Sequence, residues 1–184
     1  MTCECSEKVR VGVVNLDLDY TIELPVRATE QAAGYDVFAC IRSGEELTGW
    51  NCKNVKAKFP VTGRAIEFHP GDRILIPTGI SLIIPKGYCV KVYPRSGLSV
   101  KQGLTLINNV GIIDSDYTGE LLIPLINLSD QFTQVIDREK VAQIMVEKLV
   151  DTVFYEEETA ELMSHAGESN RKFGDAGGFG STGV

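Results

Sequence analysis

The stretch DRILIPTGISLIIPKGYCVKVYP, residues 72–94, decides the fold. The residues from Arg73 to Ile76 read as a short β-type run, the pattern breaks at Thr78-Gly79, and it resumes through Ile84. Pro85-Lys86-Gly87 then punctuates the chain before GYCVKVYP (87–94) alternates again. A period of two marks half-buried β-strands, and Gly and Pro mark the turns between them. The same signals recur on both sides. VRVGVVNL (9–16) and YTIELPVRA (20–28) precede; GLTLIN (103–108), GELLIPLINL (119–128) and KVAQIMVEKLV (140–150) follow. Many short strands at turn-marked intervals predict an all-β antiparallel sandwich or barrel. Helical signal is weak: about one or two turns in SGLSVKQG (96–103) and about two in EEETAELMSH (156–165), judged by propensity.

Two segments depart from that pattern. Residues 43–67 are polar and hold the only tryptophan, which predicts an inserted exposed hairpin or loop. From about residue 164 the composition shifts again, and GDAGGFGSTG (174–183) has five glycines and one aromatic residue. Such a segment cannot build a core of its own. The expected organisation is a β domain over 1–163 and a glycine-rich arm over 164–184.

A chain of 184 residues suits one domain with a sizeable core. The net charge of −7 argues against nucleic-acid partners, which are bound through positive charge and counterion release. No run approaches the roughly 18 apolar residues of a membrane span. MTCECSEKVR lacks the apolar centre of a signal peptide, so an intracellular, cytoplasmic location is expected. The five cysteines are odd in number and include no C-x-x-C pair, which argues against a disulfide framework. Cys3 and Cys5 with His69 and His165 do not have zinc-ligand spacing.

Four clusters could carry chemistry. AAGYDVFA (32–39) places Asp36 in an apolar run, where a turn cap or ion-pair partner is the plain alternative. YPRSGLS (93–99) gathers Arg95, Ser96 and the Gly97 amide at a possible helix start, an anion site or simply a turn capped by Ser96. NNVGIIDSDYTGE (108–120) runs an apolar segment into Asp114, Asp116, Tyr117 and Glu120. Carboxylates so placed either pair or have chemical work; Asp116 and Glu120 read as turn or ion-pair residues. The tail offers glycine amides, the Ser181 and Thr182 hydroxyls and the Phe179 ring, or is a terminus with no fixed structure.

Together, AGYDVFA, PRSGLS, NNVGIIDSDYTGEL, KVAQ and GGFGSTG resemble, in order and spacing, the five motifs of the trimeric deoxyuridine triphosphatases (dUTPases), over residues 20–184. The resemblance implies a distorted jelly-roll subunit, a homotrimer, and a C-terminal arm that closes a site built from several chains. It implies Mg²⁺-dependent hydrolysis of dUTP to dUMP and pyrophosphate by water attack on the α-phosphorus. That reaction limits uracil incorporation into DNA and supplies dUMP for dTMP synthesis. By the same resemblance Asp114 is catalytic and orients the water, and Asp36 holds the hydrated metal through its waters. Arg95, Ser96, Gly97 and Gln143 contact phosphates, and Gly180, Ser181 and Thr182 in the arm contact the distal ones. Tyr117 lies under the deoxyribose and excludes a 2′-hydroxyl, Asn108 and Gly111 read uracil, and Phe179 stacks on it. Two positions depart from the family pattern. The arginine usual before the final glycine run is absent, leaving Arg171 or Lys172 as substitutes, and Lys140 stands where an arginine is usual. The alternatives are a dCTP deaminase or bifunctional deaminase–pyrophosphatase of the same superfamily, and a non-enzymatic dUTP sensor on the same fold.

Overall fold

The alternation read from the sequence becomes a layered β structure in the computed structural model, which describes residues 8–161 and 164. The chain divides into two units, residues 1–150 and 151–184. In the first unit the strands are β1 (Gly12–Asn15), β2 (Tyr35–Phe38), β3 (Glu46–Trp50), β4 (Lys56–Pro60), β5 (Ala65–Phe68), β6 (Arg73–Ile76) and β7 (Ile80–Ile83). After them come β8 (Tyr88–Tyr93), helix α1 (Ser96–Gln102), β9 (Leu104–Leu106), β10 (Gly111–Ile113), β11 (Ile123–Asn127), β12 (Thr133–Ile136) and β13 (Lys140–Lys148). In the second unit, residues 159–161 are helical.

Two main sheets have the orders β10-β8-β13-β2 and β4-β3-β6-β11-β9, and the pairs β1-β7 and β12-β5 complete the fold. All the pairings are antiparallel. Inward residues of both main sheets join one buried cluster. Val37, Val90, Val92 and Ala142 come from the first sheet, and Leu47, Ile74, Ile76, Leu106, Ile123 and Leu125 from the second. Full burial of each Val, Leu or Ile among them contributes about 1.5–3 kcal/mol, so register is strongly specified. The arrangement is the expected all-β, jelly-roll-like class.

Three expectations change on contact with tertiary structure. Residues 20–28 form no strand; Val26 makes a single bridge to Asp36, because Pro25 lacks the N–H that a ladder needs. That segment is held by side chains instead. The Tyr20 hydroxyl meets both Asp137 oxygens at 2.6 and 2.7 Å, and Arg42, Arg64 and Arg138 surround its ring at 5.5–5.8 Å. Residues 43–67 do form a hairpin, β3-β4, but it is not simply exposed. β3 also pairs with β6, and Leu47, Gly49, Val61 and Ile66 are buried. Finally, Ser96 does not cap α1: Arg95 occupies the N-cap position without a side-chain capping bond, and Ser96 is the first helical residue.

Candidate active site

Strand register assembles one half of the site. Gln143 on β13 pairs with Asp36 on β2 on one side and with Tyr93 on β8 on the other. Arg95, Ser96 and Gly97 follow directly where β8 passes into α1. Asp36 is buried, and both of its oxygens face cations: Arg95 Nε lies 3.0 Å from Oδ1 and Lys140 Nζ 2.8 Å from Oδ2. Arg95 also donates through Nη1 to the Lys140 carbonyl at 2.9 Å. Two cations against one carboxylate leave a net positive charge beside the exposed Ser96 and Gly97. The Gln143 amide donates to the Pro94 carbonyl at 2.9 Å. Gly34 makes room for it, since a methyl group at that position would lie 2.4 Å from Gln143 Oε1.

The second half lies on β10 and the turn after it. Gly111 is buried opposite Val92, and Asn108 lies in the exposed turn that enters the strand. Asp114 follows β10 and is exposed; among the described residues its carboxylate has no hydrogen-bond or ion-pair partner. Its main-chain carbonyl accepts from the Tyr117 N–H at 3.2 Å, closing the turn. The Tyr117 hydroxyl donates to the Glu120 carbonyl at 2.9 Å. Glu120 is anchored in turn, its Oε1 accepting from the N–H groups of Thr78 and Gly79 at 3.1 and 2.8 Å. Glu120 is thereby tied to the turn between β6 and β7.

The two halves are well separated in one chain. Because β10 runs antiparallel to β8, Ile113 at its far end pairs with Val90, well before Arg95. At roughly 3.4 Å per residue that distance along the strand is on the order of 15–20 Å. The register joins Asp36, Lys140, Gln143 and Arg95 and leaves Asp114 and Tyr117 apart, an arrangement in keeping with the several-chain site that the family resemblance implies. The Lys140 pairing with Asp36 and the Glu120 anchor were not foreseen. Both join residues distant in sequence and leave no local pattern. Phe179, Gly180, Ser181, Thr182, Arg171 and Lys172 lie outside the described residues.

Magnesium was expected near Asp36. No group of three or more His, Cys, Asp or Glu side chains gathers among the described residues. With both Asp36 oxygens already facing cations, the donor set does not suit a metal held by the protein itself.

Comparison with known proteins agrees with these motifs. The sequence model of the dUTPase family matches residues 61–183. A deoxyuridine 5′-triphosphate nucleotidohydrolase of Wolbachia sp. subsp. Brugia malayi is 35% identical over 176 residues, covering 96% of this chain and 95% of the relative. Its counterpart in Brucella melitensis is 34% identical, covering 100% and 99%. The crystal structure of a dUTPase from Streptococcus mutans superposes with a TM-score of 0.60 at 28% identity, covering 78% of this chain and 99% of that one.

Proposed function

This chain belongs to the dUTPase family, and on that premise we propose that it hydrolyses dUTP to dUMP and pyrophosphate by water attack on the α-phosphorus. The observation that carries the reading is Asp114: an exposed carboxylate without a partner among the described residues, in the same turn as a tyrosine whose hydroxyl is fixed. An unpaired carboxylate is free to accept a proton from water and to orient that water toward phosphorus. The Tyr117 ring supports the pentose and leaves no room for a 2′-hydroxyl. Asn108 and the main chain at Gly111 present hydrogen-bonding groups to the uracil edge. Cytosine has the opposite donor pattern and would leave buried polar groups unpaired.

The cationic half handles the phosphates. Arg95, held by Asp36 and the Lys140 carbonyl, keeps guanidinium donors for a phosphoryl oxygen, and Ser96, Gly97 and Gln143 stand beside it. Charge growing on departing pyrophosphate is stabilised by these fixed donors. Magnesium would come with the substrate and neutralise triphosphate charge, while Asp36, both oxygens facing cations, would hold Arg95 and Lys140 in place. The arm supplies Phe179 over the base and Gly180, Ser181 and Thr182 at the distal phosphates. Because the halves lie far apart in one chain, a complete site joins the Asp114 half of one copy to the Arg95 half of another, which the homotrimer of the family resemblance would provide. The homotrimer works in the cytoplasm.

Asp114→Asn tests the reading. The amide keeps the shape and loses the base, so kcat for pyrophosphate release from dUTP falls by about 10²–10⁴. Binding of a non-hydrolysable dUTP analogue, followed by calorimetry, is retained. Full activity in this variant, or ammonia release from dCTP by the unmodified protein, contradicts the proposal.

A further inference from the structure

We propose that Gly119 and Glu120 set the sugar selectivity of the site by clamping the Tyr117 ring, a positioning role that rests on the reading of Tyr117 given above. Tyr117 is 44% exposed and lies on a turn, so it is not held by a surrounding core. An aromatic side chain so placed would ordinarily sample several rotamers. Here it is fixed at its tip and along its edge.

The tip is held by the hydrogen bond from the hydroxyl to the Glu120 carbonyl, 2.9 Å long. The edge rests on Gly119. A methyl group there would lie 2.5 Å from the Tyr117 hydroxyl oxygen, 2.7 Å from Cζ and 3.2 Å from Cε2. Cβ atoms essentially never come within 3.0 Å of another atom, so the first two of these distances mean that a side chain at 119 must displace the ring. The ring is partly exposed, which leaves it somewhere to go.

The clamp has its own foundation in the core. The Glu120 carboxylate reaches into the turn between β6 and β7 and accepts from Thr78 and Gly79. The next residue is tied to the same place: Thr78 Oγ1 donates to the Leu121 carbonyl at 2.6 Å, and the Leu121 N–H donates to Ile80 at 2.8 Å. Thr78, Ile80 and Leu121 are all buried. Ring height is therefore fixed from the core. Rejecting one hydroxyl group is a matter of about an ångström of room, which a swinging ring would grant.

The test is the ratio of kcat/KM for dUTP to kcat/KM for UTP, measured on the full chain with magnesium. Gly119→Ala and Glu120→Ala each lower the ratio by roughly tenfold or more. Tyr117→Phe, which removes the tip bond but keeps the edge contact, lowers it less. Glu120→Gln restores it, because the amide oxygen accepts from the same two N–H groups. A merely structural role would reduce both substrates alike and leave the ratio unmoved. Unchanged ratios in Gly119→Ala and Glu120→Ala overturn the clamp alone. Should Glu120→Ala fail to fold, Gly119→Ala and Tyr117→Phe decide by the same criterion. Failure of the unmodified protein to consume dUTP instead overturns the functional reading, and the clamp with it.

Discussion

Two aspartates of this chain have opposite surroundings. Asp36 is buried with a cation on each oxygen, and Asp114 is exposed with no partner among the described residues. The family resemblance gave the two different roles, but the residues alone did not show the pairing of Asp36, because its partners arrive from β13 and from the end of β8. Cys40 makes a residue-scale prediction from the same kind of environment. Burial, then the negative charges of Asp137, Glu120 and Glu45, push its thiol up from 9.0 to about 11. Between those values the unfolded chain releases a proton that the folded chain retains, so the folded state loses stability as pH rises through that window. Urea unfolding at pH 7 and pH 10 should therefore show a smaller drop in midpoint for Cys40→Ala than for the unmodified protein. Equal drops would mean that other groups alone set the alkaline limit.

At the scale of elements, alternation was a good guide wherever one face of a strand met the core. The segments read around β6, β7, β8, β9, β11 and β13 all contain strands, and the break at Thr78-Gly79 separates β6 from β7. It failed where other constraints intervened. Pro25 stops a ladder over 20–28, and β12 is a short strand whose exposed alternate residues gave little apolar signal. The hairpin within 43–67 read as a polar insertion because only one face is apolar. Its turn is locked by Asn51, whose Oδ1 accepts from Lys53 and Val55 at 3.0 Å each, while Leu47 and Gly49 point inward. Gly49 marks how closely this hairpin is joined to the sheet. A methyl there would lie 2.3 Å from the Arg73 carbonyl oxygen and 2.8 Å from a Phe59 ring carbon. Since the first of these is backbone, Gly49→Ala should lower unfolding stability by about 1–3 kcal/mol. Thermal or urea unfolding measures this, and an unchanged midpoint would mean that the hairpin is only loosely attached.

At the scale of the molecule, the motifs were legible in the sequence and their resemblance implied a site shared between chains, but the residues alone did not show why. Spacing along a chain does not show that β10 runs back along β8 and carries Asp114 away from Arg95. That divergence underlies the central claim: dUTP is hydrolysed where the Asp114 half of one copy meets the Arg95 half of another. The most direct measurement is complementation between Asp114→Asn and Arg95→Gln, the latter retaining a side chain able to hydrogen-bond Asp36. Each variant alone should release little pyrophosphate from dUTP. Refolded together in equal amounts, they should recover about a quarter of the unmodified protein's activity, since in a closed ring half of the copies supply each intact half-site independently. A mixture no more active than its components would place both residues in the same chain's site and contradict the account.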